Sequence, residues 1–361
     1  MKVLHIHPSM SGGGIESMIC GLANEMAKSH DVTVCSIFSP VESDLFWYKL
    51  SSDVKKATLG KVNRGFSLKE IYKVCKFIGE NNFDVVYLHG SIQYYVMAIM
   101  LLHGKVKFCY TMHTDAQKEN IGWSGRLYRF KKFCFANKWV TPITISSPSR
   151  QSFVDLYQCE SKLIYNGVPR PKVNECVCGF IEKYKITQNT KVFLHPGRIT
   201  EAKNQEVLCK VFKQIIDEGA DVVLLIAGPN DDNDIYTKIN YYFCERIVYL
   251  GQCDDIPSML AYADAMCLPS IWEGMPVTLL EALSVGCIPI CSPVGGIVDV
   301  INNGVNGVLS ASSSAEDYYA AMKVYMSYTD EDINKMKQSS RESFEKYDIA
   351  NASQEYIGLA L

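Results

Sequence analysis

The chain has no large excess of charge of either sign. Its 361 residues carry 36 Lys and Arg against 39 Asp and Glu, a formal net charge of −3, so nothing draws nucleic acid to the molecule as a whole. Its fourteen cysteines include no Cys-x-x-Cys and no paired Cys/His spacing of the zinc type. The nearest pairs, Cys176/Cys178 and Cys287/Cys291, have no second pair beside them. We expect reduced thiols in a cytoplasmic protein, some of them ordinary core cysteines. No apolar run approaches ~18 residues, so no transmembrane helix is expected. Met1 to Ile6 leads directly into a strand-like run, so no signal peptide is expected. Repeats of solenoid period and low-complexity segments are also missing. With 48% hydrophobic and 21% charged residues, the composition is that of a globular protein. Its length favours about two domains over a single core.

Two series of alternating strands and helices fill the chain. The first has strands at Lys2 to His7, Val32 to Phe38, Val85 to Leu88, Val106 to Met112, Val140 to Ile145 and Lys162 to Tyr165. Helices are expected between them at Ile15 to Lys28, Leu68 to Glu80, Ile92 to Leu102, Arg126 to Ala136 and Pro148 to Tyr157. Asn166-Gly167-Val168-Pro169 closes this series with turn chemistry. Residues 170–190 have weak periodicity and read as a linker. The second series has strands at Val192 to His195, Val222 to Ala227, Ile247 to Leu250, Ala265 to Leu268 and Ile288 to Cys291. Its helices follow Lys203 and lie near Ile235 to Phe243, Ile256 to Tyr262 and Pro276 to Gly286. The tail from Ser312 is helical and polar, with a last helix over Tyr347 to Tyr356. The expectation is α/β: two doubly wound domains, residues 1–169 and 191–345, facing each other across a cleft, followed by a terminal helix over 346–361 that crosses back to the first domain. In such sheets ligands sit at the carboxyl ends of the strands.

The stretch from Pro269 to Gly286 carries the strongest chemical signal. A buried strand stops at Pro269, and a loop then holds Trp272, Glu273 and Gly274. Pro276 stands where a helix should begin, and Gly286 where it should end. Gly274 to Thr278 should therefore present free N–H groups at a positive helix end, a ready phosphate site. Glu273 lies just before that end, and Glu281 eight residues on. Hydroxyls need acceptors and phosphates need donors, so this set suits a sugar nucleotide. Two solvated glutamates beside a buried helix are the plainer reading.

Other loops are less specific taken singly. Ser11 to Gly14 brings bare backbone close to a ligand, or is simply a flexible strand-helix turn. It departs from Gly-x-Gly-x-x-Gly, because Ser17 stands at the third glycine. The second strand ends in Ser36-Ile37-Phe38-Ser39, without the acid that would hold an adenosine ribose. Both departures weaken a nicotinamide-dehydrogenase reading. Gly197-Arg198 through Lys203-Asn204 places two cations between a strand end and a helix start. They suit a diphosphate, or are surface bases near Glu201 and Glu206. Asp231-Asp232-Asn233-Asp234 contains an Asp-x-Asp, but its polar loop after Gly228-Pro229 reads as a solvated turn.

These motifs occur in a fixed order: Gly12-Gly13-Gly14-Ile15-Glu16, Tyr165-Asn166-Gly167-Val168, Gly197-Arg198 with Lys203-Asn204, and Glu273-Gly274-Met275-Pro276 through Glu281-Ala282. Gly286-Cys287-Ile288-Pro289-Ile290 and Gly295-Gly296 follow. From Lys2 to about Tyr356 the chain resembles the retaining GT-B glycosyltransferases of family four, with two Rossmann-like domains. The resemblance implies that Glu281 holds the nucleotide ribose and Glu273 the donor sugar. It implies help from the amides of Gly274, Met275 and Val277, with Pro276 and Thr278 in the same turn. Arg198 and Lys203, beside Gly197, would bind the diphosphate and stabilise it as it leaves. Gly13 and Gly14 would approach the donor from the first domain. His113 would face the transferred sugar; as a residue it also reads as an idle strand-end histidine. Gly251 to Asp254 would line the base pocket. No metal or other cofactor is expected, because cations and a helix end already neutralise a leaving diphosphate. Retention by same-face attack is likewise implied by the resemblance. The donor is expected to be a UDP-sugar, with GDP second, and the setting to be bacterial surface polysaccharide synthesis.

A basic, aromatic helix marks the first domain. Arg126, Arg129, Lys131, Lys132 and Lys138 alternate with Leu127, Tyr128, Phe130, Phe133, Phe135 and Trp139. Such a helix suits peripheral contact with an anionic membrane surface and a lipid-linked glycan acceptor. An ordinary amphipathic helix of the α/β layer fits equally. The competing functions are a nucleotide-sugar epimerase, a hydrolase, or a non-catalytic sugar-nucleotide-binding module. A hydrolase needs two opposed carboxylates across one bond, which Glu273 and Glu281 around a helix start do not suit.

Overall fold

The computed structural model describes residues 1–41, 46–63, 65, 67–90 and 92–361, without the side chains of Trp123 and Ser124. The chain divides into two compact units, residues 1–169 with 348–361 and residues 170–347. Each is a parallel sheet with helices on both faces, so its strands are apolar throughout rather than alternating.

The first unit contains β1 (Lys2–His7), β2 (Asp31–Phe38), β3 (Lys55–Lys61), β4 (Val85–His89), β5 (Lys107–Met112), β6 (Val140–Thr144) and β7 (Lys162–Leu163). They are ordered β3-β2-β1-β4-β5-β6-β7. The order reverses between β1 and β4, the topological switch point where ligands gather in such sheets. β3 is absent from the expected elements. Its sequence, Lys-Lys-Ala-Thr-Leu-Gly-Lys, is mostly exposed at the sheet edge, and lysines are a common edge device that masks a strand pattern.

The chain returns to this unit at its end. The Ile349–Ala360 helix packs on the Gly14–Met26 helix, and Tyr87 donates its hydroxyl proton to the Tyr356 carbonyl at 2.6 Å. Asp348 caps the terminal helix at the Ala350 amide, so the helix starts just after the expected Tyr347. A side chain at Gly167 would press on Ile349 Cα at 2.9 Å, so this glycine makes room for the returning chain.

The second unit contains β8 (Lys191–Pro196), β9 (Val222–Ala227), β10 (Ile247–Gly251), β11 (Ala265–Leu268), β12 (Ile288–Cys291) and β13 (Val308–Leu309). Their order is β10-β9-β8-β11-β12-β13, with the switch point between β8 and β11. Its core joins Phe193, Phe212, Leu224, Ile226, Cys267, Ile290 and Tyr325. Residues 170–190, read above as a linker, contain the Cys176–Glu182 helix, which packs on the Ile256–Tyr262 helix. Ile181 is its one buried residue, so its sequence shows almost no periodicity. All fourteen cysteines are free thiols. Among the described residues no helix is long and apolar enough to cross a membrane.

Candidate active site

The two loops at the second unit's switch point are those that carry the sequence motifs. One follows β8 and the other β11, and hydrogen bonds tie them together. The Ile271 amide donates to the Ala202 carbonyl at 2.8 Å. Asn204 Nδ2 donates to the carbonyls of Pro269 and Ser313, each at 3.0 Å. Asn204 is held at φ 57°, the left-handed region that asparagine tolerates.

Lys203 crosses this junction and reaches Glu273, with Nζ to Oε1 at 2.6 Å. The same oxygen accepts a 2.6 Å bond from Ser270 Oγ. Both charged side chains are largely shielded, 20% and 11% exposed, and Ser270 is fully buried. A shielded pair of this kind is costly to break from one side, because the remaining charge is left desolvated. Glycines allow the approach. A Cβ at Gly197 would crowd buried His195, standing 3.3 Å from its Nε2. One at Gly295 would lie 2.0 Å from the Glu273 carbonyl oxygen, and the Gly296 amide donates to the Gly274 carbonyl at 2.5 Å.

Directly after Glu273 the chain turns into the Val277–Val285 helix. Pro276 is its N-cap, one place earlier than the expected first helical position, and Gly286 ends it at φ 74°. Val277 and Thr278 stand in the first turn, whose amides have no acceptor within a helix, beside buried Met275 and Pro276. Glu281 lies one turn further on and is half-buried.

The two cations expected on one diphosphate each rest on a carboxylate of their own. Lys203 is on Glu273, whereas Arg198 is half-exposed and pairs with Asp231 at 3.2 Å. The Asp-x-Asp stretch is therefore more than a solvated turn: Asp232 caps the Asn233–Asn240 helix, accepting from the amides of Asp234 and Ile235, and Asp231 holds Arg198. Gly251 ends β10 at φ 71°, its carbonyl accepting from the Gly228 amide at 2.7 Å.

His195, at the end of β8, is buried beneath the loop. Its Nδ1–H donates to the Cys267 carbonyl at 2.8 Å, and its Nε2 accepts from Gln205 at 3.1 Å. Burial pushes its pKa down to about 4, so it is a neutral strut.

The first unit is built differently. Gly13 caps the Gly14–Met26 helix at φ 155° and ψ −176°, a region essentially reserved for glycine. Glu16, in the first turn, is buried and raises the proton affinity of His7 against the lowering effect of burial. His113 follows β5, and its Nε2 lies 3.0 Å from Nδ1 of buried His89. Sequence reasoning singled out His113 and the glycines but passed over His5, His7, His89 and Ser270. The His-x-His of β1 was the available signal, since residues two apart in a strand share a face.

The basic helix is divided between core and surface. Lys131 is buried against Glu119, whose other partner is the Tyr110 hydroxyl. Burial raises the Glu119 pKa to about 7 and lowers that of Lys131 to about 8. Phe135 is buried, and Leu127, Tyr128, Phe130 and Trp139 pack on the core. Arg126, Arg129, Phe133 and Lys138 remain on the surface.

Two family descriptions divide the chain between them. Residues 12–170 match Glycosyltransferase Family 4, and residues 180–343 match Glycosyl transferases group 1. Both halves of the chain are thus of glycosyltransferase type. An uncharacterized glycosyltransferase of Methanocaldococcus jannaschii is 24% identical over 84% of this chain and 82% of its own. A UDP-Gal:alpha-D-GlcNAc-diphosphoundecaprenol alpha-1,3-galactosyltransferase of Escherichia coli is 28% identical over 71% of this chain and 69% of its own. Among solved structures, Anabaena HepE in complex with UDP and glucose superposes with a TM-score of 0.81 at 18% identity, covering 99% of this chain and 98% of that one. This glycosyltransferase therefore has the GT-B fold of two Rossmann-like domains.

Proposed function

We propose that the protein transfers a sugar, with retention and without a metal, from a UDP-sugar to a glycan or lipid-linked glycan acceptor during assembly of a bacterial surface polysaccharide. The observation that carries this reading is the shielded Lys203–Glu273 pair at the switch point, directly before a helix start. Glu273 serves as acceptor for donor-sugar hydroxyls. Glu281 takes the ribose hydroxyls. The amides of Gly274 to Thr278, with Lys203 and Arg198, hold the diphosphate, and Arg198 leaves Asp231 to do so. Gly251 to Asp254 serve the base. Gly13, Gly14 and His113 are the first unit's contributions.

In the transfer, the bond between sugar C1 and the β-phosphate oxygen breaks. A bond from C1 to the acceptor oxygen forms on the same face, and the acceptor proton passes to the departing phosphate. Cations and helix-end amides stabilise the charge that develops on that phosphate. The UDP choice is supported by the donor of the Escherichia coli relative and the UDP bound by HepE. The lipid-linked acceptor is supported by the same relative's diphosphoundecaprenol substrate. The exposed Arg126, Arg129, Phe133 and Lys138 are the residues assigned to peripheral contact with an anionic membrane surface.

A panel of UDP- and GDP-sugars, read by thermal shift and then by product mass and anomeric NMR in EDTA, tests the reading. The expected result is stabilisation by UDP-sugars and an α-linked product from an α-linked donor. An inverted product, or transfer restored only by added metal, overturns the mechanism. Donor binding without any transfer across the acceptor panel overturns the enzymatic role.

A further inference from the structure

Three histidines form a continuous row across the carboxyl end of the first sheet, buried at His5 and His89 and partly exposed at His113. They come from three adjacent strands: His5 from β1, His89 from the end of β4 and His113 just past β5. Register explains the row. His5 pairs with Tyr87 across β1 and β4, and His89 pairs with Thr111 across β4 and β5. Each step to the next strand advances two residues, and a two-residue step keeps the same face. His5 and His89 stack at 5.4 Å between ring centres, and His89 and His113 lie at 5.3 Å.

The row is hydrogen-bonded end to end. Nε2 of His113 meets Nδ1 of His89 at 3.0 Å. Nε2 of His89 meets Nδ1 of His5 at 3.2 Å. Nε2 of His5 meets the Met26 sulfur at 3.4 Å. A thioether sulfur accepts and never donates, so the His5 proton belongs on Nε2. In a neutral imidazole the other nitrogen then accepts. His5 Nδ1 accepts from His89 Nε2–H, and His89 Nδ1 accepts from His113 Nε2–H. The lone pair of His113 is thereby left on Nδ1, which has no hydrogen bond to any described residue; His113 itself is partly exposed. The reverse direction would set a ring lone pair against the sulfur.

We propose that Met26, His5 and His89 are positioning residues that fix His113 as its Nε2–H tautomer, so that His113 presents Nδ1 as a hydrogen-bond acceptor for a sugar hydroxyl. The sugar hydroxyl rests on the placement of His113 in the transfer site; the tautomer does not. Burial supports a neutral row, since it lowers the pKa of His5 and of His113 to about 3 and that of His89 well below the ordinary histidine value. His7 lies near enough for its charge to oppose protonation of His89 and His113, but it shares no hydrogen bond with the row among the described residues. Its Nδ1–H donates to the Ser9 carbonyl at 2.6 Å, and Glu16 is its charged neighbour.

Nitrogen-15 NMR of the full chain with labelled histidine tests the proposal directly, with only seven histidines to assign. At neutral pH, His5, His89 and His113 should each carry the proton on Nε2 alone. A proton on Nδ1 of His113, a mixture of tautomers, or an imidazolium there overturns the proposal. Met26→Leu conserves volume and removes the acceptor, so it should produce mixed tautomers along the row. Unchanged tautomers in that variant overturn the role of Met26. His89→Leu should lower kcat by roughly tenfold while the donor KM stays within about twofold, and His89→Gln, which keeps an acceptor for His113, should recover most of the loss. Equal rates in the two variants would also overturn the proposal. If the tautomers are as stated but His113→Ala transfers sugar at the wild-type rate, the placement of His113 in the site fails while the row stands.

Discussion

The two sheets have the same handed layout but equip their switch points by different means. In the second, charge is carried in loops: Lys203 follows β8, Glu273 follows β11, and Arg198 lies on Asp231 nearby. In the first, polar groups are carried by the strands or their ends, on His5, His89 and His113, with His5 against Met26 of the Gly14–Met26 helix. Loop charges screened by a partner are able to exchange that partner for a ligand. Neutral rings hydrogen-bonded in a row orient rather than neutralise. The second unit is thus suited to holding a polyanion, and the first to directing a hydrogen bond.

The largest expected effect lies in the second unit. Glu273→Gln should lower kcat by about 10² to 10³, the range for removing one preorganised polar contact at a transition state. Rates within threefold of wild type would remove Glu273 from the chemistry. Arg198→Ala should weaken nucleotide-diphosphate binding roughly tenfold, as a charge-assisted hydrogen bond is lost, while changing stability by less than about 0.5 kcal/mol, because its present pair with Asp231 is exposed. A large fall in melting temperature with unchanged affinity would reverse that assignment.

Acid sharpens the contrast between the sheets. The folded pKa values of His5 and His113 are near 3 and that of His195 near 4, all below the ordinary 6.5. Below pH 6.5 the unfolded chain binds protons that these buried rings refuse, so stability present above that pH is lost as pH falls toward 3. With His89 also depressed, the first unit should lose backbone hydrogen-exchange protection faster between pH 7 and pH 5 than the second. Equal losses in β1 and β8 would contradict this. The smallest effect expected is that of Tyr87→Phe, which removes the bond to the Tyr356 carbonyl and should cost about 1 kcal/mol. It should be seen first as faster exchange in the terminal helix.

Much of this was legible in the sequence. Apolar runs and periodic helices announced both doubly wound sheets, because strands covered on both faces have little choice of residue. Gly286, a helix stop, and Glu273, before a helix start, were readable from local chemistry alone. Edge and surface elements were less visible. The strand Lys55–Lys61 is masked by its lysines, and the Cys176–Glu182 helix by having one buried side chain. Pairings between distant residues were not visible at all. Lys131 read as a surface cation because nothing local announces that Glu119 meets it in the interior. The carboxylates on which Arg198 and Lys203 rest, Asp231 and Glu273, lie 33 and 70 residues away, beyond any local pattern. The histidine row escaped notice because its members are spread over three strands, and only strand register brings them together.

The account rests most heavily on the division of labour around the Val277–Val285 helix. Isothermal titration of UDP into the wild type, Glu281→Ala and Glu273→Ala measures it directly. Glu281→Ala should raise the Kd about tenfold or more, since it removes hydrogen bonds to a charged acceptor, whereas Glu273→Ala should leave the Kd within about threefold and lose transfer instead. Equal loss of UDP affinity in both variants, or none in Glu281→Ala, would contradict it.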